Sequence, residues 1–113
     1  MESKAQLIVS DADNSVTIKV VGSMDFSHYR KLHKLARKHR KKQGLRYVFD
    51  WSRTSYLHSS GVATLLNFND WITSQQGYIE FTNCGSNILQ SLSQTGTLDR
   101  FAPALAVTEL PQT

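Results

Sequence analysis

Absences set the first limits on this chain. Only one cysteine, Cys84, occurs among its 113 residues. Neither an internal disulfide nor a cysteine-based metal site can therefore be built. No apolar run approaches the ~20 residues that a membrane span requires, and the opening MESKAQ has no apolar core of a secretory signal. The expected setting is the cytoplasm. No internal repeat or linker breaks the pattern, so residues 1–113 are expected to form one domain. Hydrophobic residues make up 40% and charged residues 19%, ordinary values for a globular chain that buries a real core.

Acidic charge is scarce in one place. Of thirteen Lys and Arg, eight lie between Arg30 and Lys42, and the five others face nine acids elsewhere. The formal charge of +4 thus describes a mildly acidic domain with one basic helix face. Such a face suits a phosphate backbone or an acidic protein surface. Nucleic acid is the weaker reading: no aromatics interleave the charges, and no helix-turn-helix or strand aromatics for base stacking are present.

QLIVS (6–10) and SVTIKVV (15–21) are rich in β-formers and flank the turn-forming Asp11-Ala12-Asp13-Asn14, which predicts a hairpin. A helix follows from about Phe26 to Lys42, with Phe26, Tyr29, Leu32, His33 and Ala36 on its inward face, ended near Gly44. Tyr47-Val48-Phe49, closed by Asp50, reads as a buried strand, and Trp51 to His58 as a loop. A second helix should run from near Ser60 to about Ser74. Tyr78 to Thr82 reads as a strand, Ser86 to Thr95 as a short helix, and Ala104 to Leu110 as a last strand. The order ββαβαβαβ predicts an α/β domain: a mixed sheet with helices packed against it.

The centre of the chain carries the chemistry. In VFDWSRTSYLHSSGVATLL (48–66), a strand and loop deliver Ser59-Ser60-Gly61 to a helix start. A hydroxyl there is placed to cap the helix, and the same position receives a phosphate well. Val62, Leu65, Leu66, Asn69 and Ile72 should face inward, leaving Thr64 and Trp71 away from that face and Phe68 at its margin. These three are expected to form an exposed, partner-binding edge beside Ser59, or else Trp71 packs beneath the Gln75-Gln76-Gly77 turn. Catalysis is not supported, because HSSG lacks the leading glycine of the G-x-S-x-G elbow. His28, His33 and His39 miss the i, i+4 spacing of helical zinc pairs. Neither metal nor cofactor is expected.

This order of elements, with GSMDF before the first helix and VFDWSRTSYLHSSGVATLL at the centre, resembles the STAS domains, the family of anti-sigma factor antagonists and related signalling modules. The resemblance implies a non-enzymatic partner-switching module. Such a module binds a serine kinase that doubles as an anti-sigma factor, is phosphorylated by it on the first serine of Asp-Ser-Ser-Gly, and is restored by a protein phosphatase. By position the phosphoacceptor is Ser59, with Asp25, Asp50, Ser60 and Gly61 as neighbours. Ser52 and Thr54 fall on the partner-facing loop. His58 stands where the family usually has aspartate, replacing a group that repels phosphate by one that can donate to it. Many members add a helix after the last strand, and other members serve stress complexes, biofilm control or, as subunits, lipid transport.

Overall fold

The computed structural model describes residues 6–108. The expected hairpin is present: β1 (Gln6–Asp11) pairs antiparallel with β2 (Ser15–Met24). Beyond it the strands run parallel. β3 (Arg46–Asp50) lies between β2 and β5 (Tyr78–Thr82), and the short β4 (Thr54–Leu57) pairs with the far end of β2. The main path is β1-β2-β3-β5. Four α-helices accompany the sheet: α1 (Tyr29–Lys38), α2 (Ser59–Ser74), α3 (Ser86–Gln94) and α4 (Ala102–Thr108).

Strand alternation decides which face is covered. Leu7, Val16, Ile18, Val20, Tyr47, Phe49, Ile79 and Phe81 point into one core with Leu32, Leu65, Ile72 and Ile88 of the helices. The opposite face carries Thr17, Lys19, Arg46 and Glu80, the last two ion-paired at 3.1 Å. The radius of gyration of 13.3 Å matches the ~13 Å expected of a chain this long.

Three elements differ from the sequence reading. First, the loop Trp51 to His58 contains a strand. β2 runs three residues past Val21, its register shifts between Gly22 and Ser23, and its end pairs with β4. Buried Thr54 anchors β4 by donating to the Val20 carbonyl at 2.7 Å.

Second, the first helix is shorter than predicted and begins as a separate 3₁₀ turn, Phe26–His28. Asp25 accepts the Ser27 amide at 2.9 Å, and the Asp25 amide points at Nδ1 of buried His28 at 3.4 Å. This reciprocal cap turns the chain so that Phe26 and Tyr29 are exposed, while Leu35 is buried with Leu32 and Ala36. The helix stops at Lys38 with His39 as its C-cap, so Gly44, with φ of +78°, belongs to the turn leading into β3 and is not the predicted helix cap.

Third, the predicted last strand is helical as far as it is described. Phe101, Ala104 and Leu105 are buried, the i, i+3, i+4 spacing of a helix face, and Pro103 stands in the first turn, where a missing N–H costs nothing. Residues 109–110 of that predicted strand lie outside the described residues. The observed order is therefore ββαββαβαα.

Candidate functional site

Parallel strands deliver their carboxyl ends to one rim of the sheet, where open α/β folds place their sites. β2 leads into Asp25 and β4 into His58, and β3 ends at Asp50. The His58 amide donates to the Met24 carbonyl at 2.9 Å, so β4 and the start of α2 are fixed to the end of β2. Gly61 permits this approach: a Cβ there would stand 2.5 Å from the Met24 oxygen and 2.9 Å from its carbonyl carbon.

Neither serine caps α2 with its hydroxyl, contrary to expectation. Backbone alone starts the helix, with His58 extended and its carbonyl accepting the Val62 amide at 3.0 Å. Ser60 Oγ instead accepts the Phe26 amide at 3.1 Å, tying α2 to the 3₁₀ turn. Ser59, the first helical residue, is exposed. Its neighbour His58 is exposed too, its ring edge-on to Tyr56 with centroids 4.7 Å apart.

Two carboxylates at this rim are held ionised by different partners. Hydrogen bonds from the Ser27 hydroxyl and amide keep Asp25 below the usual carboxylate range, with His28 and His58 adding to the effect when charged. Burial pushes Asp50 up, but hydrogen bonds from Asn83 and Ser52, helped by Lys19, outweigh it and leave its pKa lowered. Asn83 Nδ2 and the Ser52 amide each lie 3.0 Å from Asp50 Oδ1. Asp25 therefore belongs to the α2 end of the rim, while Asp50 ties β3 to the turn after β5.

The expected exposed edge of Thr64, Phe68 and Trp71 is not formed. Thr64 and Phe68 are buried, and Thr64 Oγ1 donates to the Ser60 carbonyl at 3.0 Å. Phe68 packs edge-on against Tyr47 and Phe49. Trp71 is half-buried, its indole 4.0 Å from the His33 ring. α2 packs against the sheet, α1 and α3 together, so its buried arc is wider than one apolar stripe. Ser60 lines a groove of about 670 Å³ with Phe26, Tyr29, Arg30, Ala63 and Asn67, whereas Ser59 lines a smaller hollow of about 190 Å³ with Tyr56, Leu57, Ser91, Gln94 and Thr95. Phe26 is 70% exposed. Sequence reasoning placed Phe26 and Tyr29 inside; the signal against it was Asp25 followed by His28, the spacing of a capping box.

No described helix is long and apolar enough to cross a membrane. Among the described residues, no three His, Cys, Asp or Glu cluster as metal ligands.

Residues 8–105 match the family model described as "Mlab, STAS domain". The chain belongs to the STAS-domain family. Its fold is similar to that of the anti-sigma factor antagonist SpoIIAA in its unphosphorylated form (TM-score 0.69, 14% identity, 83% of this chain and 84% of that one). An anti-sigma factor antagonist from Mycobacterium paratuberculosis is also similar (TM-score 0.64, 20% identity, 97% and 87%). So is the phosphorylated form of SpoIIAA, described as a Bacillus cell fate determinant (TM-score 0.61, 17% identity, 83% and 85%). At these identities the likeness is one of fold. No curated protein matches the sequence. In this STAS domain Asp25, His58, Ser59, Ser60 and Gly61 gather at the start of α2, and Asp50 and Ser52 stand together at the end of β3. Thr54, expected on the partner-facing loop, is instead buried, its hydroxyl bonded to the Val20 carbonyl.

Proposed function

We propose that the chain is a non-enzymatic, cytoplasmic partner-switching module of the anti-sigma factor antagonist kind, controlled by reversible phosphorylation of Ser59. One observation carries this reading. Of the two serines at the head of α2, Ser60 is engaged with Phe26, whereas Ser59 is exposed and free of any capping duty. A kinase can reach Ser59 without breaking a structural bond. The γ-phosphoryl group of ATP would pass to Oγ, ADP leaving and the hydroxyl proton going to the kinase. A phosphatase would return the hydroxyl with water, releasing inorganic phosphate.

Phosphate adds about −1.5 to −2 charges and favours a helix N-terminus. The fold would tolerate it while the exposed surface at the head of α2 gained negative charge. Exposed aromatics in a groove such as that at Phe26 are the residues that anchor protein interfaces. Unphosphorylated, the module would hold its kinase or anti-sigma factor through this groove and the exposed residues of β4; phosphate would release it. SpoIIAA, similar in fold, exists in both forms.

The test is intact mass after incubation with the cognate kinase and ATP, followed by peptide mapping. A single phosphate on Ser59, lost in Ser59→Ala, is expected, together with a partner that copurifies with wild type and not with Ser59→Glu. Label elsewhere, or unchanged label in Ser59→Ala, overturns the assignment. His58 favours a second reading, a STAS subunit that docks constitutively in a complex such as a lipid transporter. Its mark is a partner bound equally by Ser59→Ala and Ser59→Glu.

A further inference from the structure

Switching at Ser59 leaves the basic face unexplained. Of the eight cations from Arg30 to Lys42, only Lys38 lies within ion-pair distance of a carboxylate among the described residues, 3.8 Å from Asp11. Three of them, Lys31, Lys34 and Lys38, rim an apolar slot of about 240 Å³ between α1 and β1, floored by Leu7, Val9, Leu32 and Leu35. Val9 is 36% exposed there.

The backbone of β1 is open on the same side. Among the described residues, β1 ends the sheet and pairs only with β2. The hairpin closes with the Ala12 amide donating to the Ser15 carbonyl at 2.8 Å, and antiparallel pairs alternate between bonded and unbonded. Counting back, Leu7, Val9 and Asp11 turn their N–H and C=O groups outward. The outward Leu7 carbonyl accepts from Lys31 Nζ at 3.2 Å.

We propose that the β1 edge and α1 form a docking groove for an extended, acidic segment of a partner protein, added as a further strand beside β1. Its dimensions set the pattern recognised. Lys31 and Lys38 are separated by about 10 Å along the helix, at ~1.5 Å per residue. Strand residues four apart span about 13 Å, at ~3.3 Å per residue, within reach of flexible lysine chains. The segment therefore carries an aliphatic side chain for the slot, with a carboxylate two residues before it and two after. Main-chain hydrogen bonds supply affinity and the alternate side chains supply selectivity.

Other occupants fit less well. A second copy pairing through β1 would bring its own three lysines against these. Nucleic acid gains nothing from an aliphatic slot, and a flat bilayer does not enter one. Simple protection of the edge by lysine accounts for Lys31, but not for the slot or for the cations left without acids.

The test uses the full ¹⁵N-labelled chain and a synthetic peptide with the core Glu-Thr-Ile-Thr-Glu. Saturable shifts of the Leu7, Val9 and Asp11 amides and of α1 are expected. Binding should fall at least about tenfold when the core is Lys-Thr-Ile-Thr-Lys or Glu-Thr-Ser-Thr-Glu, or when Lys31→Glu and Lys38→Glu are combined. Both lysines are exposed, so the spectrum of the double variant should stay folded, and Ser59→Glu should bind the peptide like wild type. Absence of saturable shifts at millimolar peptide overturns the proposal, as do shifts confined to the Phe26 groove. A response of this face to phosphatidylglycerol vesicles or to an oligonucleotide, with the peptide silent, also overturns it.

Discussion

The hydroxyl of Ser60 accepts the amide of Phe26 at 3.1 Å, across 34 positions of sequence. This bond separates two neighbouring serines into a structural and a free one. Ser60→Ala should destabilise the fold by about 1 kcal/mol, the usual net worth of one hydrogen bond, without removing the proposed modification site at Ser59. Ser59→Ala should change stability by less than about 0.5 kcal/mol, as exposed substitutions do. Urea denaturation of both variants checks the contrast, and equal losses would contradict it.

Gly61 stands where any side chain meets the Met24 carbonyl. The obstacle is backbone, so α2 itself must shift. Gly61→Ala should therefore cost about 2–4 kcal/mol, within the range of overpacking and broken contacts. Thermal unfolding measures it; a neutral variant would show that α2 can slide on β2.

Tyr47 is buried, and its hydroxyl has no hydrogen-bond partner among the described residues. Burial, then the charge of Asp11, raises its pKa to about 12. A phenol whose folded pKa exceeds the unfolded ~10 contributes stability that is complete below pH ~10 and lost as pH rises from there towards 12. Tyr47→Phe should remove this alkaline loss. At neutral pH it should match wild type or gain about 1 kcal/mol, since a buried unsatisfied group disappears. Denaturation series at pH 7 and pH 11 decide the sign.

Asp50 behaves in the opposite sense. Its pKa is lowered, so its contribution is complete above the unfolded value of ~3.9 and is lost as pH falls below it towards the folded value. Asp50→Asn should be less stable than wild type at pH 7, with the gap narrowing below pH ~4. Chemical denaturation across that range tests it, and a gap that widens in acid would refute the assignment.

Much of this architecture was readable from residues alone. The hairpin, the apolar runs of β3 and β5, and the serine pair heading α2 follow from alternation and turn chemistry. β4 was not readable, because Thr54-Ser55-Tyr56-Leu57 becomes a strand only when β2 runs past a register shift to meet it. At the C-terminus the short apolar run from Ala104 to Leu110 reads as a strand by its length alone, whereas Ala and Leu are good helix formers and the spacing of Phe101, Ala104 and Leu105 fits a helix face; α4 packs on β5 as a helix. At the site, position named the serines, but only tertiary contact distinguished Ser60 from Ser59. The Phe26 groove was hidden for the same reason: one cap at Asp25 rotates two aromatics from the interior to the surface.

The tight seat of α2 on Met24 has a consequence for signalling. If Ser59 takes phosphate, lifting the head of the helix would break the His58 amide bond to the Met24 carbonyl, and pressing it inward would meet Met24 beneath Gly61, so the head would stay in place. Information would be written as chemistry on an unchanging shape, and a partner would read it by repulsion at contact, chiefly as faster departure and not as the loss of a fitted surface.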